Sequence, residues 1–165
     1  MDDARPLAVV DLDGVVADVR HRLRHLEGRR KDWSRFFAAA RADPTHPEGL
    51  AVVDRLAADH DVVYLTGRPA HLRADTEAWL DDAGIGGRPL IMRPEGDRRP
   101  AVRFKIEQLR QLARDRTIGI VVDDDPVVAG AVRDAGWPVF EATWERRDAA
   151  AEEAVLEAQE VDGAT

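Results

Sequence analysis

Five short apolar runs rich in β-branched residues, at 7–10, 62–65, 89–92, 118–122 and 138–140, limit what this chain can fold into. None alternates apolar with polar positions, as a strand with one solvated face would, so these runs suit strands covered on both faces. Helical patterns fill the intervals. Leu50, Val53 and Leu56 share one face, Leu72, Thr76, Trp79 and Leu80 a second, and Val102, Ile106, Leu109 and Ala113 a third. Pro69 and Pro126 suit a first helical turn, while Gly84 and Gly136 suit the position just past a helix end. Strands alternating with helices predict an α/β domain with a mostly parallel sheet flanked by helices.

The interval from Gly14 to His60 is far longer than the others and must hold more than one crossover helix. Leu23 and Leu26 anchor one short helix, Trp33, Phe36 and Phe37 a second, and Asp43-Pro44-Thr45-His46-Pro47 breaks the chain before the third. Residues 17–47 therefore read as a small helical cap inserted above the strand ends of one domain of 165 residues. The Ala/Glu-rich stretch 145–165 reads as an acidic tail, helical or frayed.

The sequence has no cysteine, which excludes a disulfide framework, a thiolate zinc site and a cysteine nucleophile. No apolar run approaches the ~18 residues of a membrane span, and the N-terminus lacks a basic region followed by an apolar stretch. A soluble, cytoplasmic protein is expected, with no membrane and no obligate protein partner. Its formal charge of −8 argues against nucleic-acid binding by the whole surface. The distribution is uneven, however. Arg20, Arg22, Arg24, Arg29, Arg30, Lys31, Arg35 and Arg41 face only Glu27 and Asp32 in that stretch, a local balance of +6, and from Glu141 onward acids dominate.

Ligands of parallel α/β sheets bind beyond the carboxyl ends of the strands. Asp11, Asp13 and Gly14 follow the first run, Thr66, Gly67 and Arg68 the second, and Asp123, Asp124 and Asp125 the fourth, with Lys105 near the start of the preceding helix. Carboxylates packed this closely are unfavourable unless a cation or a reaction uses them. The set fits phosphoryl transfer. Asp11 with the Asp123-Asp124 pair would hold Mg²⁺ through oxygen ligands, and one aspartate of the Asp11/Asp13 pair would attack phosphorus while the other handles the proton. Thr66, the backbone N–H groups of the Gly67 turn and Lys105 would bind the equatorial oxygens. Plainer roles compete: Asp125 before Pro126 suits a helix N-cap, and Asp123 suits a supporting acid beside a direct ligand at Asp124. His21 and His25 suit a polar helix face, and Trp33, Phe36, Phe37 and Trp79 suit packing. Lys105 stands out because the chain otherwise uses arginine, with Lys31 its one other lysine.

Asp11-Leu12-Asp13-Gly14-Val15-Val16, Val63-Tyr64-Leu65-Thr66-Gly67-Arg68, Lys105 and Val122-Asp123-Asp124 resemble, in order, the four motifs of the haloacid dehalogenase superfamily. The resemblance implies a Rossmann-like domain and a Mg²⁺-dependent aspartyl nucleophile at Asp11. It also implies an acid/base at Asp13, whose backbone carbonyl touches the metal. The second aspartate points to a phosphatase rather than a dehalogenase. A narrower set is similar to the phosphatase domain of polynucleotide kinase-phosphatases: Ala17-Asp18, His21-Arg22-Leu23, Asp32-Trp33, Phe36-Phe37, Thr66-Gly67-Arg68-Pro69, Thr76 with Trp79-Leu80, Met92-Arg93-Pro94 and Gly96-Asp97-Arg98-Arg99. That likeness implies removal of 3′-phosphates from nucleic-acid ends, with Arg22, Arg68 and Arg98 or Arg99 at the phosphate or its neighbour and the basic cap facing the polynucleotide backbone. No Gly-x-x-x-x-Gly-Lys-Ser/Thr loop accompanies it, and Val15 stands where many members have threonine. Two other readings remain: a 5′-nucleotidase or small-metabolite phosphatase, and a phosphoacceptor or interaction module without turnover.

Overall fold

The computed structural model describes residues 4–145. Its strands β1 (Leu7–Val10), β2 (Asp61–Pro69), β3 (Leu90–Arg93), β4 (Ile118–Asp123) and β5 (Val139–Glu141) form one sheet in the order β3-β2-β1-β4-β5. Every pairing is parallel. The helices are α1 (Trp33–Ala38), α2 (Pro47–Ala57), α3 (Arg73–Asp82), α4 (Ala101–Leu112) and α5 (Pro126–Asp134). Beyond Glu145 the expected acidic tail lies outside the described residues. Among them, no helix is long and apolar enough to cross a membrane.

The two-fold side-chain period of a strand explains the uninterrupted apolar runs. Ala8, Val10, Val62 and Tyr64 pack on one face with Val53, Trp79 and Leu80, whereas Leu7, Val9, Val63 and Leu65 pack on the other with Phe104, Leu109, Val128 and Val132. Helices thus cover both faces, and every position of the central strand β1 is buried. Pro126 starts α5 behind the Asp125 cap, which accepts from the Val127 amide at 2.8 Å, and Gly136 ends it with φ of +91°.

The long interval folds as an insert with its own small core. A 3₁₀ helix spans Arg20–Leu26, α1 follows, and a second 3₁₀ turn spans Ala39–Ala42. Val19, Leu23, Leu26, Phe36 and Phe37 form its centre, with Trp33 and Leu72 against it. Leu72 therefore serves the insert rather than the α3 face expected for it. Pro69 also differs from expectation: it closes β2, paired with Arg93, and a 3₁₀ turn at Ala70–Leu72 precedes α3. The insert leaves and rejoins the domain at one point. Ala17 pairs antiparallel with Thr45, the Asp18 amide donates to Pro44 (2.8 Å), and the His46 amide donates to Val16 (2.9 Å).

Close backbone approach fixes Gly49 in α2, where a Cβ would stand 2.0 Å from the Val15 carbonyl oxygen. In Gly49→Ala the helix-propensity gain of about 1 kcal/mol competes with overpacking of about 1–3 kcal/mol, more against backbone. The clash wins, so the urea midpoint is expected to fall at unchanged m-value; an equal or higher midpoint would contradict this packing.

Candidate active site

Register brings the carboxylates together. The Asp11 amide donates to Val122 at 2.9 Å, continuing the β1–β4 pairing so that Asp11 stands beside Asp123 and Asp124. The chain then turns sharply: the Leu12 carbonyl accepts from Val15 (3.2 Å), Val16 (2.9 Å) and Ala17 (2.9 Å), and Gly14 takes φ of +78°, which its missing Cβ permits. Asp11 and Asp13 lie in the rim of this turn, 5% and 6% exposed.

Asp11, Asp123 and Asp124 each place a carboxylate oxygen within 4.8 Å of the others. Lys105, buried in α4, lies 3.0 Å from Asp11 Oδ2 and donates to Asp123 Oδ2 at 2.7 Å. Asp123 Oδ1 accepts the Asp125 amide at 3.0 Å, while Asp125 itself caps α5, as its place before Pro126 suggested. Burial raises the Asp11 carboxyl well above the ordinary range; Lys105 opposes this, and Asp123, Asp124 and Asp13 add to it. Asp11 Oδ1 has no hydrogen-bond partner despite being buried. An unpartnered oxygen among three carboxylates is the donor set of a hard divalent cation, so these residues fit Mg²⁺. Thr66 is fully buried within β2, three residues before its end, and accepts the Arg68 amide at 3.2 Å, which leaves its hydroxyl proton free to donate.

Asp13 has different company. Its Oδ1 accepts from Arg22 Nη2 (2.8 Å) and from Arg68 Nε (2.9 Å) and Nη2 (2.6 Å). Both arginines also reach Asp43: Arg22 Nε and Nη2 at 2.9 and 2.8 Å, and Arg68 Nη2 at 3.1 Å. Each guanidinium lies over an aromatic ring, Arg22 over Phe36 at 4.4 Å and Arg68 over Trp79 at 5.7 Å. Burial would raise the Asp13 carboxyl, but Arg22 and Arg68 together hold it at about 2. Arg22 and Arg68, expected at the substrate, are thus turned onto Asp13 and Asp43.

Arg98 and Arg99 stand outside this cluster. Both are exposed, and Arg99 is paired with Asp97 and Glu107. The buried arginine of that segment is Arg93, at the end of β3 and 5.0 Å over Phe104. Its Nη1 donates to the Arg99 carbonyl at 2.7 Å, yet Nε and Nη2 have no partner, and burial lowers its pKa to about 10. Asp43 and Arg93 have no role assigned to them from the sequence, although Arg93 stands in the Met92-Arg93-Pro94 stretch of the narrower likeness. Asp43 reads as part of a chain break, and Arg93 is one arginine among neighbours of the same kind.

A parallel α/β sheet whose first strand ends in Asp-x-Asp, with a buried lysine and a distal acidic pair, defines a phosphatase of the haloacid dehalogenase type. Residues 6–144 match the family described as the polynucleotide kinase PNKP phosphatase domain, and the chain belongs to that family. Among solved structures it is similar to a chain of a Pnkp1/Rnl/Hen1 complex, with 24% identity and a TM-score of 0.68 over 84% of this chain and 45% of that one. A Pnkp1/Rnl/Hen1 RNA repair complex gives 22% identity and a TM-score of 0.65 over 86% and 43%. A haloacid dehalogenase-like hydrolase from Streptococcus pneumoniae gives 13% and 0.58 over 96% and 92%. At these identities the likeness is one of fold, and the chain spans less than half of the first two chains it matches. No curated protein compared with it matches significantly.

Two outcomes are expected from these charges. Asp11, raised in the fold, contributes stability that is full below its unfolded value and lost as pH rises through its folded one; Asp13, depressed, contributes stability that is lost as pH falls toward about 2. Mg²⁺ binding to ionised Asp11 should therefore raise the melting temperature by an amount that grows as pH rises above the ordinary carboxylate range, and a shift independent of pH would contradict the assignment. In Asp43→Asn, two buried guanidiniums lose a counter-charge, and a loss of about 3–5 kcal/mol in urea unfolding is expected.

Proposed function

We propose that the chain is a Mg²⁺-dependent phosphomonoesterase acting on the 3′-phosphate of a polynucleotide or nucleotide. One observation carries this reading. Among the described residues, the buried side-chain atoms without a hydrogen-bond partner are Asp11 Oδ1, Asp13 Oδ2, and Nε and Nη2 of Arg93. Two acceptors and two donors left open at one sheet edge suit a bound cation, a proton in transit and an anion. Family membership supports phosphatase chemistry; the substrate class rests on the likeness to proteins of polynucleotide ends and on Arg93, whose open donors suit a phosphate beside the reacting one.

In this mechanism Asp11, Asp123 and Asp124, with the Asp13 backbone carbonyl, would hold the metal, which when bound would supply charge neutralisation between carboxylate and phosphate. The Asp11 carboxylate attacks phosphorus, an Asp11–phosphorus bond forms, and the ester oxygen leaves with a proton from Asp13. An incoming phosphate adds negative charge beside Asp13 and raises its pKa, so that a group ionised at rest can carry that proton. Water then attacks the phosphoryl group and gives its proton to Asp13, and the bond to Asp11 breaks. Thr66 and Lys105 hold the equatorial oxygens.

Phosphate release from 3′-phosphorylated oligonucleotides, 5′-mononucleotides and sugar phosphates tests the reading. Oligonucleotide turnover that needs Mg²⁺ and falls by at least about 10³-fold in Asp11→Asn is expected. Full activity in that variant would remove the aspartyl nucleophile, and preference for 5′-mononucleotides or sugar phosphates would move the substrate to a nucleotidase or small-metabolite phosphatase.

A further inference from the structure

The arginines of the insert fall into two groups. Arg22 is buried on Asp13 and Asp43, Arg20 pairs with Asp18 (2.5 Å), Arg35 with Asp32 (3.5 Å) and Arg41 with Asp82 (2.6 Å). Arg24, Arg29 and Arg30 are exposed and have no carboxylate partner among the described residues.

These three are placed together by backbone geometry. In a 3₁₀ helix residues three apart are eclipsed, so Arg24 continues the row of His21 along Arg20–Leu26. His21 marks the rim of the site: its Nε2 is 2.6 Å from Asp43 Oδ1, and its side chain is 35% exposed. The loop that follows folds back on the same helix, because the Asp32 amide donates to the His25 carbonyl at 2.7 Å and Gly28 turns with φ of +90°. Arg29 and Arg30 are thereby held near Arg24, with Glu27 as the one exposed acid beside them. Three unneutralised guanidiniums thus lie in one short stretch, from Arg24, one 3₁₀ turn beyond His21, to Arg30 in the loop closed onto the same helix, on a protein of charge −8. A polyanion is repelled by most of such a surface and attracted at this edge. Guanidiniums also match phosphate oxygens with paired N–H donors.

We propose that Arg24, Arg29 and Arg30 bind the phosphodiester backbone of a single-stranded polynucleotide on the 5′ side of the terminal phosphate. The inference rests on the phosphatase reading above. It goes further by dividing the cap: Arg20, Arg35 and Arg41, already neutralised, take no part. A single strand is the partner because the terminal phosphate must reach Asp11, 5% exposed at the base of the site.

Binding of a fluorescent 3′-phosphorylated oligonucleotide of about ten nucleotides to the full chain carrying Asp11→Asn, followed by anisotropy against salt, tests the surface without turnover. Each backbone contact to a single strand contributes about 0.7 to the slope of log K against log salt. Adding Arg24→Gln, Arg29→Gln and Arg30→Gln is expected to flatten that slope by about 2 and to weaken binding about tenfold or more at ~0.1 M salt. Arg35→Gln with Arg41→Gln, which also removes positive charge, is expected to leave the slope unchanged. An unaltered slope in the triple variant, or an equal loss in the paired-arginine variant, would overturn the proposal. Absence of phosphate release by the unsubstituted chain, with the salt-dependent binding intact, would fault the phosphatase reading and support the surface.

Discussion

Two arginines and two aspartates, buried together, hold this site in one piece. Arg22 comes from the insert, Arg68 from the end of β2, Asp13 from the turn after β1, and Asp43 from the insert's return. Four buried charges are individually costly, and the balance is favourable only when each is met by its opposites with good geometry. Asp43 completes that balance. Its backbone carbonyl also accepts from Trp79 Nε1 at 2.8 Å, so α3 is tied to the same point and Trp79 is kept beneath Arg68. No covalent link joins these segments; ion pairing with matched hydrogen bonds does.

The two carboxyls of the Asp-x-Asp pair differ because of what surrounds them. Asp11 shares one lysine with Asp123 and faces further acids, so its charged form is disfavoured until a cation arrives. Asp13 faces two guanidiniums and is ionised at rest. Neighbouring groups of one chemical type are thus pushed in opposite directions, by burial and further acids at Asp11 and by two guanidiniums at Asp13. Lysine suits the first position, since a compact ammonium can lie between Asp11 and Asp123 where a planar guanidinium would demand a wider gap.

Much of this architecture is legible in the sequence, for definite reasons. Strands buried on both faces appear as unbroken apolar runs, and in a parallel sheet the residues that follow those runs gather at one edge, which brings Asp11, Thr66 and Asp123 together. The insert shows itself through interval length and its aromatic residues. Its 3₁₀ character does not, so His21 and His25 fail to share a face and His21 alone meets Asp43. Asp43 stayed hidden because Asp-Pro is ordinary turn chemistry and its arginine partners lie 21 and 25 residues away. Arg93, Arg98 and Arg99 are the same residue type in one short segment. Only the end of β3 and the ring of Phe104 decide which of them is buried.

The paired exit and return of the insert, Ala17 against Thr45, has a consequence for how such a domain can diversify. A segment that departs and rejoins at one closed point can change length without moving β1 relative to α2, since loop closure depends only weakly on the residues enclosed. Its outer surface is then open to variation between lineages while the strands keep their register. Yet the exchange has fixed terms. Any replacement must still deliver an arginine to Asp13 and an aspartate to both guanidiniums, so the insert shares in the electrostatics of Asp13 and cannot drift independently of it.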